Sequence, residues 1–174
     1  MTEFVFDTAF DITIGFEGNY QCLENDRGNW TSGKVGEGEL RGTKYGISAM
    51  AYPDLDIKNI SIEQAKQIYK QDYWDRCKCA FIPDALSIAL FDFAVNSGVK
   101  RAVKELQRAL GVTVDGIIGN QTVGACNRIP TRQVLEKYMQ NRIEFLYRLK
   151  AWEHFKNGWS KRVSKLKEVC EKYL

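Results

Sequence analysis

No apolar run in this 174-residue chain approaches the length needed to cross a bilayer. The N-terminus lacks the basic n-region and apolar h-region of a secretory signal, so the expectation is a protein made in the cytoplasm without a signal peptide. The five cysteines, Cys22, Cys77, Cys79, Cys126 and Cys170, are odd in number and contain no C-x-x-C pair. That weakens both a zinc site and a disulfide framework, and free thiols are expected. His154 is the only histidine and lies in a charged helical stretch without a nearby Ser or Cys nucleophile, which reads as an exposed side chain. Internal repeats and low-complexity tracts are missing. So are zinc-finger, RNP-like and basic-zipper patterns, and the net charge of +3 is small, so nucleic acid is not the expected partner. Nothing calls for a metal or a cofactor.

What remains is an ordinary globular composition, 44% hydrophobic and 27% charged, long enough for one good core or one domain with a small appendage. The charge is uneven. Residues 1–96 carry 9 basic and 15 acidic side chains, whereas residues 97–174 carry 16 and 7. The first part suits carboxylate chemistry, the second docking on an anionic surface. The plainer reading is that Lys161, Arg162, Lys165, Lys167 and Lys172 form the wet face of a last helix.

The chemistry is expected around Ile14–Tyr20. Phe6, Phe10 and Ile14 recur at i+4, predicting a helix over about residues 2–17 with Glu17 on its apolar face and Gly18 as its stop. A carboxyl on an apolar stripe is partly desolvated, which raises its pKa toward the range of a general acid. The alternative is a solvated side chain at a helix end. Residues 21–43 lack periodicity and form a long functional loop or a short strand region. Asp26 lies in it and offers a second carboxylate; ahead of Gly28 it is equally a turn former. Tyr45 and Ile47 suggest a brief extended segment, beside which the Thr43 hydroxyl could hold a carboxylate or position water.

Ser61 and Gln64 form a capping box opening a helix to about Tyr73, ending in Asp72-Tyr73-Trp74-Asp75, a mixture of acids and aromatics suited to sugar rings or to a core. A helix from Pro83-Asp84 carries Leu86, Leu90 and Phe93, and Asn96 extends that stripe with an amide that needs partners or faces a cleft. Further helices are expected at about 99–110, stopped by Gly111, at 131–150 and at 158–173, with a turn-rich connector at 111–119. The whole reads as mainly α, with at most a small sheet near residues 22–47.

In order and spacing, five segments resemble the muramidases of glycoside hydrolase family 108: Glu17-Gly18-Asn19-Tyr20, Gly42–Ser48, Asp72–Asp75, Phe91–Gly98, and Leu106–Val112 leading into Asp115-Gly116. The resemblance implies a lysozyme-like α+β fold with a helical bundle and a catalytic acid at Glu17. It also implies a catalytic lobe over residues 1–98 and a peptidoglycan-binding region over 99–174, packed on it as helices. Asn19 stands where the family has a second Gly, and extra residues between Gly28 and Gly42 split the family's D-x-G-G-x-T. Asp26 and Thr43 are the matches by motif, with Thr31 or Ser32 as rivals for the threonine. The implied substrate is bacterial peptidoglycan, contacted by Tyr20, Tyr45, Trp74 and Asn96, and the implied protein is a monomeric endolysin without stable membrane insertion, released through a holin-type pore. Competing readings are a lytic transglycosylase using the same acid and a non-catalytic wall-binding protein.

Overall fold

The computed structural model describes residues 2–15 and 19–174. Among them are seven α-helices and one two-stranded sheet: α1 (Thr2–Ile14), β1 (Thr43–Lys44), β2 (Ile47–Ser48), α2 (Ile62–Tyr69), α3 (Asp84–Ser97), α4 (Val99–Leu110), α5 (Asn120–Arg128), α6 (Thr131–Tyr147) and α7 (Trp152–Glu171). This is the mainly α, lysozyme-like arrangement that the periodicity and the resemblance predict. The chain forms two compact units, residues 1–13 with 70–174, and residues 14–69, so the units do not divide at 98.

The larger unit is built around α3, which packs on α4, α6 and α7. Its face count explains why: residues 85–94 are all buried, so the stripe expected from Leu86, Leu90 and Phe93 widens to the whole girth of the helix. A helix buried on all sides can only be central. Phe6 of α1 meets Phe91 at 5.7 Å and Trp74 at 5.4 Å between ring centroids, both edge-on, and α1 also buries Val5, Ala9 and Phe10. Trp74 sits in a π-helical stretch, Lys70–Asp75, that follows α2 where a regular helix to Tyr73 is predicted.

The core of this unit also contains charge. Asp92 is fully buried and takes Arg142 at 2.6 Å on Oδ1 and Arg162 at 2.7 Å on Oδ2. Burial pushes the Asp92 carboxyl up, but the two guanidiniums overrule it and hold it below the usual range. The Arg142 guanidinium also lies over the Phe93 ring, 4.9 Å from its centroid, a cation–π contact. Arg162 additionally donates to the Thr13 carbonyl at 2.9 Å, so one side chain joins α7, α3 and the end of α1. Arg162 is therefore a structural link and not part of a wet face.

Other helix limits also differ from the sequence reading. α1 ends at Ile14, and Gly15, at φ 68°, takes the left-handed position expected of Gly18, which lies outside the described residues. α5 follows the 111–119 connector at residues for which the sequence reading named no element. α7 begins at Trp152, so Gly158 is inside the helix; Trp152 packs on Tyr147 of α6 at 5.3 Å and on Trp159 at 6.2 Å, and these contacts outweigh the cost of an interior glycine, about 1 kcal/mol. By contrast, α4 has the predicted bounds and its Gly111 stop, at φ 69°.

In the smaller unit, β1 and β2 form an antiparallel hairpin pairing Thr43 with Ser48 and Lys44 with Ile47. Tyr45 and Gly46 make the turn, both at positive φ (51° and 73°), the pattern of a type I′ turn whose twist suits a two-residue hairpin. The capping box at α2 forms as predicted: the Ser61 amide donates to Gln64 Oε1 at 2.8 Å, and the Gln64 amide to Ser61 Oγ at 3.2 Å.

Candidate active site

Glu17, the expected acid, lies outside the described residues. Gln21 and Thr43 exchange two backbone hydrogen bonds, 2.9 and 2.8 Å, so the strand leaving the Glu17 segment is stitched to β1. Gly42 makes room for this: at φ 81° it is buried, and a Cβ there would fall 2.6 Å from a Tyr20 ring carbon. Tyr20 lines a surface pocket of about 390 Å³ with Leu40, Arg41, Asp56, Ile57 and Lys58. Its phenol is held above the usual value, first by a hydrogen bond with the Cys22 thiol and then by burial, so it stays neutral.

The residues separating Gly28 from Gly42 form an excursion closed at its base. The Asn29 carbonyl accepts from both Arg41 and Gly42 amides, at 2.9 and 3.0 Å, and Trp30 bridges Leu40. The motif split in sequence is thereby rejoined in space. At the junction, fully buried Asn29 accepts a 2.7 Å hydrogen bond from the Thr43 hydroxyl. The direction follows from the amide: Asn29 Nδ2 donates to the Leu23 carbonyl at 3.1 Å, leaving Oδ1 as acceptor and Thr43 as donor. The Thr43 oxygen consequently keeps its lone pairs for a further donor such as water. The rivals are engaged elsewhere, in the excursion itself: Thr31 Oγ1 accepts from the Glu39 amide at 2.9 Å, and Ser32 Oγ donates to the Glu37 carbonyl at 2.8 Å.

Asp26 is a turn former. Its Oδ1 accepts the Gly28 amide at 2.9 Å and caps the short 3-10 turn Arg27–Asn29 that delivers Asn29. Tyr45 is fixed on two sides: its carbonyl accepts from the Tyr69 hydroxyl at 2.9 Å, and Lys44 Nζ lies 5.3 Å from its ring centroid while donating to the Ile60 carbonyl at 2.9 Å. Its ring remains partly exposed.

The other two expected contacts belong to the larger unit. Trp74 is 2% exposed, wedged edge-on between Phe6 and Phe91, and offers no face to a sugar; the core reading of that aromatic cluster holds, and Trp74 is corrected to a packing residue. Asn96 is exposed. It donates to the Asp92 carbonyl at 2.6 Å and lines a small cavity with Ser97, Arg142, Trp159 and Arg162.

The family model described as Glycosyl hydrolase 108 matches residues 10–98, half of the chain. The chain belongs to glycosyl hydrolase family 108. A second model, described as "Predicted Peptidoglycan domain", matches residues 101–164, running from α4 into α7. The family 108 chain is similar to the solved structure of Brucella abortus SagA, at 27% identity and a TM-score of 0.80 over 98% of this chain and 96% of that one. No curated protein matches it. The two matched regions make this protein a glycoside hydrolase directed at peptidoglycan.

Sequence reasoning overlooked Asn29, Asp92 and Arg142. Asn29 sits in a loop without periodicity, and its only local signal is the Asx-type composition around Gly28. Asp92 was visible as a carboxylate inside an apolar helix, a position that demands a cationic partner.

Proposed function

We propose that this protein is an N-acetylmuramidase, cleaving the β-1,4 bond between N-acetylmuramic acid and N-acetylglucosamine in peptidoglycan, with Glu17 as general acid. Membership of family 108 together with the peptidoglycan match carries the reading. In this account protonated Glu17 gives its proton to the leaving glycosidic oxygen as oxocarbenium-like charge develops on the muramic sugar. Thr43, with its own proton committed to Asn29, accepts a hydrogen bond from the attacking water and so turns a water lone pair toward the sugar. Asp26, whose Oδ2 is not used in the turn, supplies negative charge for the oxocarbenium or takes the water's proton. Tyr20, Tyr45 and Asn96 are the proposed contacts to the glycan.

Digestion of purified peptidoglycan with mass analysis of the products tests this. Reducing N-acetylmuramic acid ends support it. Products lighter by one water indicate the transglycosylase instead, and wall binding without soluble fragments indicates a non-catalytic protein. Glu17→Gln should abolish release of reducing ends. The resemblance alone supports the roles of an endolysin, a phage or prophage origin and release through a holin-type pore.

A further inference from the structure

The peptidoglycan-matched region presents a charged groove apart from the carboxylates discussed above. Between α4 and α6 lies a pocket of about 390 Å³ lined by Arg101, Arg108, Arg148, Glu105, Glu144 and Phe145 among others. A second pocket of about 380 Å³ continues along α4 through Lys100, Lys104, Arg101 and Arg108, the last two shared by both. Five cationic side chains therefore stand against two carboxylates.

Two of the three arginines, Arg101 and Arg108, are held in place before any ligand arrives, whereas Arg148 is largely exposed and pairs with Glu144 at 3.8 Å. Glu105, nearly buried, takes Arg108 at 2.6 Å and Arg101 at 3.7 Å. The Arg101 guanidinium also stacks over the Phe145 ring at 4.9 Å, and Asn141 ties α6 to α4 through the Glu105 carbonyl at 3.1 Å. The connector runs beside the lysines. Gly116, at φ 82°, lies so close to α4 that a Cβ would be 2.9 Å from Lys100 Cγ and 3.4 Å from Lys104 Cε. Its amide donates to buried Gln107 at 2.8 Å, and Gln107 also holds Asp115 at 2.7 Å and the Ile117 carbonyl at 3.0 Å. Asp115, whose carboxylate also feels the Lys104 charge, is already occupied by Gln107 and the Ile117 amide.

Of the two parts of peptidoglycan, the glycan strand is uncharged once the lactyl group is amide-linked, and the free carboxylates sit on the stem peptide. We propose that the α4–α6 groove binds the carboxylates of the stem peptide, anchoring the wall while a glycosidic bond is cut elsewhere on the protein. This rests on peptidoglycan being the substrate. Charge-assisted contacts from preorganised guanidiniums are the strong kind, and the lysines add point charges along the same track.

Titration calorimetry with the disaccharide tetrapeptide, and with the same disaccharide carrying its lactyl carboxyl as a neutral amide in place of the peptide, tests the assignment. The wild-type protein should bind the peptide-bearing ligand at least about tenfold more tightly, and less tightly as salt is raised. Lys100→Ala/Lys104→Ala, which leaves the Glu105 ion pairs intact, should weaken that binding severalfold, and Arg101→Ala should weaken it with the circular dichroism spectrum unchanged. Equal affinity for both ligands, or unaltered binding by both variants, would overturn the proposal. So would variants that lose only binding to vesicles containing phosphatidylglycerol, which would make the groove a lipid surface. Reducing-end release by the wild-type protein is measured separately: its presence with no peptide preference defeats the groove alone, and its absence defeats the hydrolase reading.

Discussion

Asn29 and Thr43, fourteen positions apart, are joined by a hydrogen bond of 2.7 Å in which the threonine is the donor. That contact closes the loop excursion and leaves one threonine oxygen with acceptor capacity only. Thr43→Val would strip Asn29 of its buried partner, at a cost of about 1–3 kcal/mol, and would remove the proposed water contact. Urea melts should show the loss of stability, and reducing-end assays a fall in kcat that Thr43→Ser largely restores.

Tyr45 separates packing from recognition. A tyrosine in the left-handed region is strained by roughly 1–2 kcal/mol, which Asn tolerates better. Tyr45→Asn should therefore leave the melting temperature unchanged or higher. If the ring contacts the glycan, KM for soluble glycan fragments rises severalfold in the same variant.

Asp92 couples the larger unit to pH. Its folded pKa is below its unfolded value, so its contribution is fully present above about pH 4 and disappears as pH falls further. Asp92→Asn should lose about 3–5 kcal/mol at neutral pH by stranding two guanidiniums, and its stability should vary less with pH below about 4 than that of the parent. Denaturant titrations at a series of acidic pH values check both.

How far the sequence foretold these contacts depends on whether the interaction was local. The capping box of α2 and the bounds of α4 were legible because caps and helical periodicity act within a few residues. The end of α1 was not: two glycines compete there, and the nearer one, Gly15, takes the left-handed turn. The role of Trp74 could not be read because an aromatic run has one appearance whether it packs on Phe6 and Phe91 or lies open. Arg162 was misread for the same reason, since its acidic partner is seventy residues away. In the candidate site Thr43 was named from a motif, whereas Asn29 became visible only when the excursion folded back.

The thiols offer a further test. Burial pushes Cys126 and Cys170 up to about 12 and Cys79 well above the ordinary thiol value, and Cys77 is buried as well. Cys22 is half-exposed. Under native conditions at pH 8 a thiol reagent should label one equivalent quickly, at Cys22, and the remaining four only as the protein unfolds.

Gln107 holds the 115–117 turn through three hydrogen bonds, so Gln107→Leu should cost about 1–3 kcal/mol in thermal or chemical denaturation by leaving the Gly116 amide unpaired. The effect should be larger than that of Asp115→Asn, which keeps an acceptor in place.

Arg162 makes the last helix inseparable from the first. A chain shortened ahead of α7 would leave the interior carboxylate of α3 facing one guanidinium instead of two and would uncover the carbonyl that ends α1. Shuffling of wall-binding modules between enzymes of this kind would therefore have to carry α7 along with the catalytic half, however much the sequence there resembles a dispensable basic tail.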